Sequence, residues 1–303
     1  MTQPERVPRL SIGVPVYNGA DYIAEAIGSH LEQDFEDFEL VVSDNCSDDD
    51  TPEIVQTLAA QDSRITYTRN DSNIGGPANF NRLFRLTSGE LFRWAAADDR
   101  IEPGYLRKVI DLFDQDPNLV IGHSEAQLID PHSEPMLQME QGYLGGDGYM
   151  EAIKLTPPPG DDRFGSSNPH ERIDAVINNN HRNFYIFGVM RRATMMHTRL
   201  HGPFYGGDRT LLVEMAMRGR FRKVPEPLFA SRSHAKNSGR NGLNFEELKQ
   251  HGAKDLSFAS QVMKGYVNAI RSADVGRAEE LRCLAIVAKK FKQPTRMIDY
   301  SCD

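Results

Sequence analysis

Cysteine is scarce: Cys46, Cys283 and Cys302 are the only three in 303 residues. They are too few and too scattered for a disulfide framework or a cysteine-based zinc site. Of the nine histidines, His197 and His201 stand at His-x-x-x-His spacing, but Thr198 replaces the glutamate of the usual H-E-x-x-H zinc helix, so that motif is absent. Long apolar runs are missing as well. The stretch 281–291 falls far short of the roughly 18–20 residues that a membrane-spanning helix needs. The first ten residues carry no apolar export core, and neither a solenoid repeat nor a low-complexity run is present. Positive charge is in deficit, with 35 Lys and Arg against 43 Asp and Glu, a net charge of -8. A phosphate backbone wants a basic face, so general nucleic-acid binding is disfavoured. The expectation is a reduced, cytoplasmic protein with no transmembrane segment, for which peripheral membrane contact stays open.

What is present is an ordinary globular balance, 39% hydrophobic and 26% charged, in a chain long enough for one large domain or two small ones. The first 130 residues alternate buried strands with amphipathic helices. Strands are predicted at 9–17, 38–44, 64–70, 90–96 and 119–130. Helices are predicted from Asp21 (as its cap), from Thr51-Pro52, over the Gly-rich entry 73–86, and over 103–116. This alternation implies a mostly parallel sheet with helices on both faces. In such sheets ligands bind beyond the carboxyl ends of the strands, so Asn18, Asp44 and Asp98-Asp99 are expected to converge on one edge. Further on, 157–171 reads as a loop, about 171–180 as a helix, 184–190 as a strand, 209–218 as a helix and 220–234 as a strand broken by prolines. From Phe245 the chain reads as helical, with apolar stripes at Leu248, Leu256, Val262, Met263, Tyr266, Val267 and Ile270 and at Leu281, Leu284, Ala285, Ala288 and Phe291. These predict a helical hairpin that docks on the core or on a second subunit of a homodimer.

Three clusters carry chemistry. Asp98-Asp99, preceded by small residues, offers hard oxygen ligands of the kind Mg²⁺ and Mn²⁺ use with substrate phosphates. Capping of the next helix, or pairing with Arg100, would explain the same two residues. Asp44, at the head of 44–50, can accept a hydrogen bond from a nucleobase or ribose, while Asp50 reads as the N-cap of the following helix. A calcium loop there would need a Gly at its sixth position and a distal Glu, and it has neither. The glycines of 73–76 permit close backbone approach without forming a Walker loop. Trp94 reads as core. The basic residues Arg191, Arg192, Arg218, Arg220, Arg222 and Lys223 read as a solvated face or an attractor for a phosphorylated or lipid-linked acceptor.

Four of these segments in series resemble the GT-A glycosyltransferases of family 2. They are Pro15-Val16-Tyr17-Asn18-Gly19, Ser43-Asp44-Asn45-Cys46-Ser47-Asp48-Asp49, Asn73-Ile74-Gly75-Gly76 and Ala97-Asp98-Asp99. Residues 206–229 resemble the family's acceptor-side segment. The resemblance implies a GT-A α/β fold over residues 1–240, with a donor half over about 8–130 and an acceptor half over about 131–240; it does not cover the helical extension over 241–303, which rests on periodicity alone. It implies a donor site at Pro15, Val16, Tyr17, Asn18, Asp44, Asn73, Gly75 and Asp98, a divalent cation (Mn²⁺ or Mg²⁺) on Asp99 and His234, and Asp208 as general base. The implied reaction is inverting transfer from a UDP-, dTDP- or GDP-sugar to a carbohydrate, lipid-linked or small-molecule acceptor. Cys46 stands where the family often has Gly, and two further positions depart from its pattern: Asn45 stands where a second Asp is common, and Gly207 where an acid usually precedes the base. The latter two are the features that a non-catalytic binding protein of the same fold would explain. A sugar nucleotidyltransferase would need a basic, Gly-rich loop after the first strand, and 15–19 holds no Lys or Arg.

Overall fold

A computed structural model describes residues 7–139, 142–145, 150–151, 162–178, 184–204, 206–234 and 258–292. The apolar runs at the start of the chain become strands because each is covered on both faces. Strands β1 (Leu10–Val16), β2 (Phe38–Asp44), β3 (Ile65–Arg69) and β4 (Leu91–Trp94) are joined through helices α1 (Ile23–Leu31), α2 (Thr51–Gln61) and α3 (Gly76–Leu86). β2 pairs in parallel with β1 and β3, and β1 with β4. After β4 come the two-residue strand β5 (Arg100–Ile101), α4 (Tyr105–Gln115), the long β6 (Leu119–Ile129), and a separate three-stranded sheet of β7 (Leu137–Met139), β8 (Gly142–Leu144) and β9 (Met150–Glu151). Then follow α5 (Pro169–Asn178), β10 (Val189–Arg191), α6 (Arg192–Met195), α7 (Gly207–Arg218) and β11 (Arg220–Arg232), and finally α8 (Phe258–Arg271) and α9 (Arg277–Phe291).

The main sheet has eight strands in the order β3-β2-β1-β4-β10-β6-β11-β5. It is mixed. β10 runs antiparallel to both β4 and β6, and β5 antiparallel to β11. One apolar layer lies under α1, α2 and α4. The other joins the opposite face to α3, α5, α7 and the two C-terminal helices. Trp94 is wholly buried there and donates its indole N–H to the Phe80 carbonyl at 2.8 Å, as its reading as core requires.

Several local expectations are corrected. α1 starts at Ile23 with Tyr22 at its N-cap position, so Asp21 does not cap it. Asp50 occupies the N-cap position of α2 without making a cap hydrogen bond; the neighbouring Asp49 takes the Thr51 amide and hydroxyl instead. The aromatic run 184–187 forms a 3-10 turn and only Val189–Arg191 is strand, because Phe184, Tyr185 and Ile186 turn into the core from a single turn. The basic residues do not form a free solvated face. Arg191 lies over the Phe113 ring and bonds the Leu119 carbonyl, while Arg192 lies over Phe84 and bonds the Phe84 and Thr87 carbonyls. Arg220 and Arg222 pair with Asp116, and Lys223 with Glu125.

The C-terminal helices complete the monomer's own core. α8 packs on α7 and α9 on α5; Val262, Tyr266 and Ile270 of the first predicted stripe are buried as expected, whereas Met263 of that stripe is exposed. The inward residues of α9 are Cys283 and Val287, whereas Leu281 is exposed, so that stripe is rotated from its expected position. The part of the predicted helix at 245–257 lies outside the described residues. α8 crosses α7 where Gly265 faces Thr210: a Cβ at 265 would lie 2.7 Å from Thr210 Oγ1 and 2.9 Å from its Cγ2. Gly265→Leu should therefore push α8 off α7 and cost about 1–3 kcal/mol by overpacking, read as a lowered midpoint in thermal unfolding, with Gly265→Ala milder.

Candidate active site

The first four strands are parallel, so the loops that follow them share one edge of the sheet. Backbone bonds stitch these loops together: Asn45 N donates to the Val16 carbonyl at 2.8 Å, Asn70 N to Asp44 at 2.8 Å, and Ala95 N to Gly13 at 2.9 Å. In the first loop Pro15 is partly and Val16 fully buried, and Tyr17 is exposed. Asn18 adopts a left-handed backbone (φ 52°), accepts the Asp48 amide on its side-chain oxygen, and donates its own amide to Ser47. Asp49 receives the Ala20 amide and the Thr51 hydroxyl. Although burial opposes it, these bonds hold the Asp49 carboxyl below its usual range.

Asp44 sits where its strand ends, but its carboxylate is already engaged. One oxygen accepts the Ser47 amide and hydroxyl, and the other the Tyr67 hydroxyl at 2.7 Å with Arg69 at 3.4 Å. Burial, and then this bond to Asp44, push the Tyr67 hydroxyl up to about 12. For Asp44 to read a nucleobase, Tyr67 must yield its place. Sequence reasoning missed Tyr67 and also the amide network beside it. Asn45 donates to Asn73 Oδ1 at 2.8 Å and accepts from Asn70 and from the Ile74 amide. Asn73 also accepts the Gly75 amide, while Asn79 bonds Ser43 and accepts from Asn70. Asn45 thus serves as both donor and acceptor, which a carboxylate cannot do.

The acidic pair lies beside the end of β11. Asp99 is buried and accepts the Arg232 amide on Oδ1 at 2.8 Å. The Asp98 carbonyl accepts Arg232 Nε at 2.8 Å, and Asp98 Oδ2 lies 3.0 Å from His234 Nε2. His234 therefore meets Asp98, the neighbour of the acid with which the resemblance groups it. Its ring also packs on Tyr22, with centroids 4.8 Å apart. The Arg232 guanidinium reaches Glu25 at 2.6 Å, Ser133 at 2.8 Å and the Asp130 carbonyl at 3.2 Å, over the Tyr22 ring. Burial works against ionisation of Glu25, yet Ser133, Arg232 and Arg100 together hold its carboxyl below the usual range. Among the described residues no group of three His, Cys, Asp or Glu side chains is placed to hold a metal ion. A hard cation here would have to take most of its shell from water and substrate phosphate.

On the acceptor side, Gly206 is the N-cap of α7 in a left-handed conformation, so Asp208 is a first-turn residue and not the cap. It is half-buried, and among the described residues no hydrogen-bond donor or cation pairs with its carboxylate. The departure at Gly207 has a steric cause: a Cβ there would lie 2.4 Å from the Gly202 carbonyl oxygen, so no acidic side chain fits.

The family model for glycosyl transferase family 2 matches residues 11–196. The chain belongs to glycosyl transferase family 2. A family 2 relative from Campylobacter jejuni, GalNAc(5)-diNAcBac-PP-undecaprenol beta-1,3-glucosyltransferase, is 36% identical over 210 residues, 69% of this chain and 60% of that protein. Chondroitin synthase from Escherichia coli is 32% identical over 146 residues, 48% of this chain and 20% of that protein. The match thus spans less than two thirds of either relative. Among solved structures, S. aureus TarS 1–349 in complex with UDP-GlcNAc superposes with a TM-score of 0.67 at 17% identity, over 97% of this chain and 75% of that one. Mannosyltransferase PcManGT from Pyrobaculum calidifontis, in complex with GDP-Man and Mn²⁺, gives 0.59 at 15% identity, over 97% and 76%. The fold is that of the GT-A glycosyltransferases.

Two substitutions test the loop geometry, both read by thermal unfolding. Cys46 holds a left-handed backbone (φ 71°) where the family often has Gly. Relief of a roughly 1–2 kcal/mol conformational cost, less about 0.5–1 kcal/mol of glycine chain entropy, should make Cys46→Gly slightly stabilising. Asn45→Asp, although it restores the common family residue, should destabilise by about 1–3 kcal/mol because a carboxylate would face Asn73 Oδ1 without a donor.

Proposed function

We propose that this chain transfers a sugar from a nucleoside-diphosphate sugar to an acceptor hydroxyl in one inverting displacement. The observation that carries the reading is the Asp208 carboxylate, held at the start of α7 with no partner among the described residues, while the carboxylates of Asp44, Asp49 and Asp99 each accept hydrogen bonds. An acceptor hydroxyl is a weak nucleophile until a base takes its proton. The acceptor oxygen forms its bond to the anomeric carbon, the bond from that carbon to the diphosphate oxygen breaks, and the hydroxyl proton passes to Asp208. Attack from the face opposite the leaving diphosphate inverts the anomeric centre.

The donor nucleotide lies along the loops after β1, β2 and β3. Val16, Tyr17 and Asn18 flank the base, Asp44 receives its N–H in exchange for Tyr67, and Asn73 and Gly75 border the ribose side. Asp99 and His234 are the residues that would hold Mn²⁺ or Mg²⁺, with Asp98 beside the ribose or donor sugar; the ion would supply a Lewis acid for the departing diphosphate. Arg232 keeps the Asp99 carboxylate and the Asp98 main chain in register with the end of β11. The acceptor is a carbohydrate hydroxyl. The undecaprenol diphosphate in the name of the Campylobacter relative extends this to lipid-linked saccharides; no described helix is long and apolar enough to cross a membrane.

The test is thermal unfolding with UDP, GDP or dTDP, each with and without Mn²⁺, together with an assay of nucleoside diphosphate release from the corresponding sugars. At a hundred times the dissociation constant a bound nucleotide adds about 2.7 kcal/mol, a shift of several degrees. One nucleotide should raise the midpoint in a Mn²⁺-dependent way, and Asp99→Asn should abolish that effect. Asp208→Asn should keep the shift while losing roughly 10²–10⁴-fold in turnover. A donor-binding protein without chemistry would show the shift and no release in the wild type.

A further inference from the structure

The loop before α7 carries a second polar group without a partner among the described residues. His201 Nδ1 is buried and makes no hydrogen bond to any of them. The ring is fixed from two sides, with centroids 5.1 Å from Phe80 and 5.9 Å from Trp94. The backbone is clamped to α3, where the Asn81 amide donates to the His201 carbonyl at 2.9 Å and the His201 N–H donates to Asn81 Oδ1 at 2.9 Å. His201 is thus as firmly placed as a strand residue, although it lies on a loop.

Its position relative to Asp208 follows from the two glycines. Gly202 follows His201 and Gly207 precedes Asp208, and their backbones touch closely enough to exclude any Cβ at 207. The turn that removes the family's acidic neighbour therefore brings an imidazole to the base. Burial pushes the His201 ring below its ordinary range, and the Asp208 carboxylate pulls it back up. Asp208 is the charged group facing His201; Phe80 and Asn81 of α3 and Trp94 of β4, on the other sides, are uncharged. A neutral imidazole carries one proton, and an unpaired buried N–H is rarer than an unpaired buried acceptor. The buried Nδ1 is then the lone-pair nitrogen, and Nε2 carries the proton.

We propose that His201 is a positioning residue for Asp208, its Nε2–H donating through one bridging water to the carboxylate and fixing the oxygen that takes the acceptor proton. This rests on the transferase reading above. A bridging water carries such a bond across a gap too long for direct contact. A donor to the charged form also keeps the carboxylate ionised.

The test has two arms on the full chain. Nuclear magnetic resonance of ¹⁵N-histidine-labelled protein reads the tautomer and titration of His201 without any substrate. The expected result is a proton on Nε2 and, in Asp208→Asn, a His201 that titrates at lower pH than in the wild type. A proton on Nδ1, or a titration unmoved by Asp208→Asn, overturns the proposal. The second arm measures release of UDP or GDP into water from UDP-glucose, UDP-GlcNAc and GDP-mannose with Mn²⁺. His201→Leu, which removes the donor, should lower release by about tenfold and move the acid limb of the pH profile upward. His201→Gln, which carries an N–H donor, should recover most of it. Equal losses in both variants, with unchanged pH profiles, would make His201 a packing residue and overturn the proposal. A wild type that releases no nucleoside diphosphate from any of the three sugars would count against the transferase reading, and the resonance arm would still decide whether His201 and Asp208 form a pair.

Discussion

One buried guanidinium holds the site together. Arg232 is 1% exposed, and its contacts reach the first helix at Glu25, the acidic pair at Asp98 and Asp99, and the end of β6 at Asp130 and Ser133. A buried cation must be surrounded by acceptors or its desolvation goes uncompensated. That requirement pulls four segments, distant in sequence, to one point. The position of Asp98-Asp99 relative to β11 is a consequence of this packing, and so is the approach of His234, two residues beyond Arg232.

Much of the donor half was legible in advance. The run 38–44 is strand to the residue, and Thr51-Pro52 does open α2, because local apolar periodicity and Pro at a first helical turn are strong, short-range signals. The convergence of Asn18, Asp44 and Asp98-Asp99 on one edge followed from parallel topology alone. What escaped depends on long-range contacts. Arg232 looks like any basic residue at a strand end, and its partner Glu25 lies 207 positions away. Tyr67, Asn70 and Asn79 are unremarkable polar residues until the loops meet. The turn at 184–187 misled because an aromatic run satisfies strand propensity and core burial equally well, and only the tertiary fold separates them.

The two departures from the family pattern have physical reasons in this chain. The Asn45 side chain gives and receives hydrogen bonds at once, so an amide suits it better than an acid. Gly207 is set by the close approach of Gly202, and no side chain can stand there. Neither change touches the carboxylates of Asp98, Asp99 or Asp208. Read this way, they are accommodations of packing and leave the proposed chemistry intact.

The way α8 and α9 seal the opposite face of the sheet has a consequence for biogenesis. Chains emerge from the ribosome N-terminus first and begin folding as they do so. The parallel strands β1 to β4 and their helices can pair from the first hundred residues. Yet α5 and α7, with Leu211, Leu212 and Met215 among their core residues, complete their packing only when residues 258–291 arrive to lie against them. The nascent protein must therefore carry an open apolar face from the synthesis of α5 and α7 until those residues arrive. The last helices act as the closing segment of folding, and a chain stalled before them would be left prone to aggregation while its nucleotide-side loops were already formed.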